Sequence, residues 1–152
     1  MRNTNEMEIM FDSKSVNEGF ARVAVASFMS QLNPTLEEVA DVKTAVSEAV
    51  TNAIIHGYER DVVQKIWIRC RMEETNLYIE VEDHGIGIEN VELAMQPLFT
   101  TRPELERSGM GFSFMEAFMD EISVKSELGR GTIVKMKKEI GKGRELWSAQ
   151  SL

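Results

Sequence analysis

The sequence predicts an α+β protein, a two-layer α/β sandwich whose mixed, mostly antiparallel sheet carries helices on one face. Three observations predict it. Segments with period-two alternation follow one another with short turns between them, which favours antiparallel pairing over crossover connections. The helical segments are apolar along one stripe only, so each covers one side of a sheet. The 152 residues, 43% apolar and 28% charged, suit one ordinary domain, because two separate cores would each be too small without staples.

Residues 8–11 read as a short first strand. Ser15, with Glu18 three residues on, has the form of a capping box. The segment behind it, 17–32, places Ala21, Val25, Phe28 and Leu32 on one stripe with Met29 beside it. Asn33-Pro34 breaks that helix. Thr35 with Glu38 forms a second box, opening a long helix from 36 to about 56. Its stripe runs through Val42, Ala45, Val46, Ala49 and Ala53, and Gly57 is a natural stop. Segment 65–72 alternates with Ile66, Ile68, Cys70 and Met72 on one face, and 77–83 with Leu77, Ile79 and Val81 inward. A short helical piece falls near 90–95, followed by a poorly patterned stretch from 96 to 108. A third substantial helix begins at about 109 and carries Phe114, Met115, Phe118 and Met119. The last strands, 121–126 and 132–139, flank the turn Leu128-Gly129-Arg130-Gly131. Gly141, Gly143 and the polar end at 148–152 predict a flexible tail over 141–152, leaving 1–140 as a single domain.

Charge and cysteine content narrow the function. Seventeen basic against twenty-five acidic residues give a net charge of −8 and a pI near 4.9. That field argues against direct binding of nucleic acid. A single cysteine, Cys70, excludes an intramolecular disulfide and fits a reducing compartment. No apolar run reaches the roughly 18 residues of a membrane span, and residues 1–11 lack the apolar core of a signal peptide. The expectation is a cytoplasmic protein with no membrane contact. Residues 125–152 carry seven basic and three acidic side chains, as a solvated, lysine-rich edge strand and frayed tail would.

Three features break their own patterns. Alternation aims Asp83 at the core face, where a carboxylate is costly unless it is paired or hydrogen-bonded. It either caps the turn Asp83-His84-Gly85-Ile86-Gly87 or is an acceptor awaiting a ligand donor such as a purine amine. In the second case Gly85 and Gly87 let the backbone bend close to that ligand. Glu48 and Asn52 lie four apart on the long helix, beside its apolar stripe. They are either an internal hydrogen-bonded pair or a general base and an oxygen ligand for Mg²⁺. Arg107-Ser108-Gly109-Met110-Gly111-Phe112 puts two glycines at a helix mouth, which costs roughly 1 kcal/mol each against alanine. Bare N–H groups there suit phosphates, although neither a P-loop nor a dinucleotide fingerprint is present.

In this order the features resemble the GHKL family of ATP-binding domains, which share the Bergerat fold. The N box of that family matches Glu48-Ala49-Val50-Thr51-Asn52-Ala53-Ile54-Ile55-His56. Its three glycine boxes match Asp83 to Gly87, Arg107 to Gly111, and Gly131-Thr132. A sensor histidine kinase would bring a phosphoacceptor His, and the 47 residues before Glu48 contain none. The phrases around Glu48 and from Pro97 to Phe112 look like those of stand-alone bacterial anti-sigma serine kinases, closest to the sporulation anti-sigma F group. That resemblance implies a Mg²⁺-dependent enzyme that transfers phosphate from ATP to a protein serine, giving ADP and phosphoserine.

It further implies that Asp83 binds the adenine amine with Thr132 supporting through water, that Asn52 holds Mg²⁺, and that Glu48 takes the serine proton. Gly85, Gly87, Ser108, Gly109, Met110 and Gly111 would shape the nucleotide site. The stretch 96–108, with Thr100, Thr101, Arg102 and Arg107, would be a mobile lid, with Arg107 the better candidate to meet nucleotide charge and Arg102 otherwise an exposed loop residue. His56 ends the N-box helix as a cap interacting with its dipole, and with no cysteine or carboxylate cluster at ligand spacing neither it nor His84 suggests zinc. By the same resemblance the protein inhibits a sigma factor and phosphorylates an anti-anti-sigma factor. Arg22, Glu106 and Arg107 would contact these partners, and a homodimer would form through the first strand and helix. The alternatives are a nucleotide-gated switch without catalysis, or the equivalent kinase of a stress-response sigma pathway.

Overall fold

The computed structural model describes residues 2–58, 63–96 and 111–142. Five strands, β1 (Thr4–Asp12), β2 (Lys65–Glu73), β3 (Asn76–Asp83), β4 (Glu121–Glu127) and β5 (Gly131–Glu139), form one sheet in the order β1-β2-β3-β5-β4. Every described pairing is antiparallel, so the sheet is more uniform than the expected mixed one. Helices α1 (Val16–Met29), α2 (Leu36–Asn52) and α4 (Gly111–Phe118) pack on one face, with α2 between the other two. A single turn, α3 (Val91–Ala94), follows β3 and is capped by the Asn90 side chain. The alternating residues Ile66, Ile68, Cys70, Leu77, Ile79 and Val81 meet Val25, Met29, Val42, Val46, Val50 and Met115 in one core.

Three local expectations change. First, β1 is nine residues long rather than four, because the Glu6 and Glu8 that dilute its pattern face the open side of the sheet, with Glu8 3 Å or less from Arg69 (2.7 Å). Second, the Ser15 box does not form. Ser15 already has helical dihedrals and no side-chain cap bond, and Asn17 ties the helix start to the Asp12 carbonyl instead (2.9 Å). The Thr35–Glu38 box does form, with both reciprocal bonds in place. Third, α2 does not stop on a left-handed Gly57. It runs into a π-helical turn, Ala53–Gly57, closed by the Tyr58 amide on the Ala53 carbonyl (2.9 Å). Gly141, the first residue of the expected tail, donates its amide to Glu38 (2.8 Å), while 143–152 lie outside the described residues. No described helix is long and apolar enough to cross a membrane.

Candidate functional site

The site is built at the ends of β3, α2 and β5. Asp83 is the last residue of β3, with Ile66 opposite it on one side and Thr132 on the other. Strand alternation buries it to 6% exposure, and Thr132 to 7%. Burial pushes the Asp83 carboxyl up to about 6 against the pull of hydrogen bonds from the Gly85 and Thr132 amides. One carboxylate oxygen accepts the Gly85 N–H at 2.9 Å. Asp83 is therefore both a turn cap and a buried acceptor, and the two sequence readings are compatible.

The loop after Asp83 is held from three directions, as the accounting of its amides shows. The His84 N–H donates to the Tyr58 hydroxyl (2.6 Å), Ile86 to the Gly57 carbonyl (2.8 Å) and Ile88 to the Ser126 hydroxyl (2.7 Å). The Ile86 carbonyl accepts the Gly129 amide (2.8 Å), joining the loop to the β4–β5 turn. Ser126 also lies 2.8 Å from the Thr132 hydroxyl and 3.0 Å from the Gly131 carbonyl. The glycines make this closeness possible. A Cβ on Gly85 would sit 1.7 Å from the Gly57 carbonyl, and one on Gly87, at φ 79°, 2.3 Å from the Glu127 carbonyl. Their smallness serves protein backbone, a reason the motif alone did not reveal.

A second contact chain links this loop to the long helix. A Cβ on Gly57 would meet the Asp83 carboxyl atoms at 2.8 Å, so the π turn lies directly against the acid. One turn earlier on α2 is Asn52, and a Cβ on Gly111 at the described start of α4 would be 2.9 Å from its Nδ2. Glu48 stands one further turn back, half-buried like Asn52. Asp83, Gly57, Asn52 and Gly111 thus form a continuous floor, with Glu48 at its far end.

Thr100, Thr101, Arg102, Glu106, Arg107, Ser108, Gly109 and Met110 lie outside the described residues. Arg22 sits on α1, away from Asp83 in the fold, 3.8 Å from Glu18. Its buried Nε finds no hydrogen-bond partner among the described residues. His84 hydrogen-bonds Glu82 at 2.6 Å and lies on the Trp67 ring, 4.3 Å between centroids. Burial raises Glu82, but bonds from His84 and Arg69 outweigh it and hold the carboxyl below its ordinary value. Sequence reasoning missed Tyr58 and Ser126. Tyr58 carried a faint signal, an aromatic beside the glycine expected to stop the long helix. Ser126 carried none, since a serine on an edge strand reads as solvated. A depression of about 670 Å³ on the open face of the sheet, lined by Glu8, Arg69, Arg71, Tyr78 and Lys135 among others, is remote from this chemistry, and both its arginines are already engaged by acids.

Comparison with known proteins adds independent findings. The profile of the histidine kinase-like ATPase domain matches residues 12–138. An anti-sigma F factor of Clostridium acetobutylicum is 63% identical over 135 residues, covering 89% of this chain and 94% of that protein. Those of Geobacillus thermodenitrificans and Anoxybacillus flavithermus are 54% and 55% identical over 142 residues, covering 93% of this chain and 97% of each protein. Among solved structures, the RsbU and RsbW domains of a Mycobacterium tuberculosis protein superpose with a TM-score of 0.64 at 19% identity, over 90% of this chain and 32% of that one. A blue-light activated histidine kinase of Erythrobacter litoralis gives 0.57 at 18%, over 81% and 42%. These two likenesses concern the fold.

Proposed function

The chain belongs to the histidine kinase-like ATPase domains, in the company of the anti-sigma F factors, and from that premise we propose that it is an anti-sigma factor and a Mg²⁺·ATP-dependent protein-serine kinase. It would inhibit a sigma F-like sporulation factor and phosphorylate a serine of an anti-anti-sigma factor, in the cytoplasm, with residues 1–140 as the kinase domain. The observation that carries this reading is the floor in which Gly57 meets the Asp83 carboxyl and Gly111 meets the Asn52 amide.

Asp83 accepts the exocyclic amine of adenine, and Thr132 supports the base. The Asn52 side chain is the protein's oxygen ligand for Mg²⁺. The residues present fit it: the Asn52 amide lies against Gly111 at the described start of α4, and Mg²⁺ bound with nucleotide takes only one or two protein ligands beside phosphates and water. When bound, it neutralises charge on the phosphate oxygens. The serine Oγ bonds to the γ-phosphorus as the bond to the β-phosphate bridging oxygen breaks. Glu48 takes the serine proton, and positioning supplies the rest. Gly85, Gly87, Ser108, Gly109, Met110 and Gly111 shape the nucleotide site, and Thr100, Thr101 and Arg107 meet its phosphates.

Arg22, Glu106 and Arg107 contact the protein partners, and the Arg22 side chain, 43% exposed on α1, is open to such a contact. A homodimer would bury Val16, Phe20 and Val23, spaced as one exposed stripe on α1. Phe20 meets Phe11 of edge strand β1 edge-on, with centroids 6.4 Å apart, so stripe and strand form one surface.

The test is Glu48→Gln, assayed with radiolabelled ATP and a purified anti-anti-sigma factor. Nucleotide affinity should stay within about twofold while transfer falls by a factor of about 10² or more. Unchanged transfer would remove Glu48 as the base. Absence of transfer even in the unaltered protein, with nucleotide binding intact, would leave a nucleotide-gated binding switch.

A further inference from the structure

Two of the groups that hold the loop after Asp83 are side-chain hydroxyls, and one acts directly on the acid's own peptide. Tyr58 is 5% exposed. Its hydroxyl accepts the His84 N–H at 2.6 Å and donates to the Lys65 carbonyl at 2.6 Å. Burial raises this hydroxyl above its ordinary value, so it stays protonated and able to serve both bonds. The His84 nitrogen belongs to the peptide that leaves Asp83, so the first bond fixes the plane in which the strand ends. The second fastens that plane to the start of β2. The Gly85 amide then takes one Asp83 oxygen, and Gly57, adjacent to Tyr58, closes against the carboxyl.

We propose that Tyr58 is a positioning residue for base recognition, aiming the Asp83 carboxylate so that the site selects 6-amino purine nucleotides over 6-oxo purine nucleotides. This rests on the adenine-nucleotide reading above. An amine donates to an ionised carboxylate, whereas a 6-oxo group presents a second acceptor to it. A rigidly aimed acid therefore rewards one base and rejects the other. An acid released from its peptide plane loses both effects, and selectivity falls further than general affinity.

The experiment is calorimetric titration of the full chain and its Tyr58→Phe variant with ATP and with ITP. The phenyl ring keeps the packing and removes both hydrogen bonds. The unaltered protein should prefer ATP by on the order of a hundredfold. In the variant that ratio should fall to about tenfold, through roughly tenfold weaker ATP binding with ITP nearly unchanged. A variant that melts earlier yet keeps the ATP-to-ITP ratio would make Tyr58 merely structural and overturn the proposal. Failure of the unaltered protein to bind ATP would instead overturn the nucleotide reading itself. A measurement on the unaltered protein removes dependence on the variant's folding. Saturating ATP should move the His84 backbone amide resonance and saturating ITP should not, and an amide indifferent to ATP would also overturn the assignment.

Discussion

Asp83 carries one charge in a place that resists charge, and its titration follows from that. In the unfolded chain the carboxyl ionises near 3.8, and in the native site near 6. Between those values the native state binds more protons, so this group's contribution to stability falls as pH rises through the window. A shift of that size corresponds to about 3 kcal/mol of native-state penalty, complete above pH 6. Asp83→Asn should accordingly gain stability relative to the unaltered protein above pH 6 and lose that advantage near pH 4, read by denaturant titration across pH. Binding runs the other way. The adenine amine needs an ionised acceptor, so ATP affinity should weaken by up to about tenfold per unit as pH drops below 6. Asp83→Asn should bind weakly at every pH. A flat affinity profile in the unaltered protein would remove Asp83 as the acceptor. The same residue was the most legible one in the sequence, because a single polar side chain on the buried phase of Leu77, Ile79 and Val81 is conspicuous.

At the scale of elements, α2 and α4 meet where a glycine faces an amide. Gly111→Ala should raise helix propensity by up to about 1 kcal/mol, since the new methyl at 2.9 Å meets only the movable end of Asn52. Thermal stability should therefore hold or rise slightly, while Mg²⁺-dependent nucleotide affinity falls by about tenfold as Asn52 is displaced. A variant losing both together would indicate a packing role only. Periodicity made the elements themselves readable. The strands are amphipathic across the sheet and the helices across one stripe, and Thr35 with Glu38 marked the start of α2 correctly. The Ser15 box was a false signal, because the same residue pattern arises wherever a serine enters a helix already turning. The length of β1 was hidden since Glu6 and Glu8 dilute its pattern and the ion partner of Glu8, Arg69, lies across the strand gap in β2. The π turn and the hydroxyl tethers were unreadable for a related reason. They depend on the meeting of residues such as Tyr58 and His84, 26 positions apart, which no local pattern encodes.

Across the whole molecule, the apolar stripe of α1 lies beside β1, an edge strand among the described residues. Phe20→Asp should abolish self-association in sedimentation experiments and leave ATP affinity within about twofold, since Phe20 is 56% exposed and apart from the site. An unchanged sedimentation coefficient would exclude this surface from the dimer. The net charge of −8 opposes a polyanionic ligand at long range, so binding relies on local donors and should depend on the metal more steeply than on ionic strength. The π turn at Ala53–Gly57 carries a consequence for how such chains diverge. It holds one residue more than an ordinary helical turn, and each residue advances the helix by about 100°. Deleting any one of the five would restore regular winding yet swing Gly57 off the acid and Tyr58 out of reach of His84. Substitutions on its outer side leave that phase untouched. Across descendants of this sequence the stretch should therefore drift in spelling and stay fixed in length.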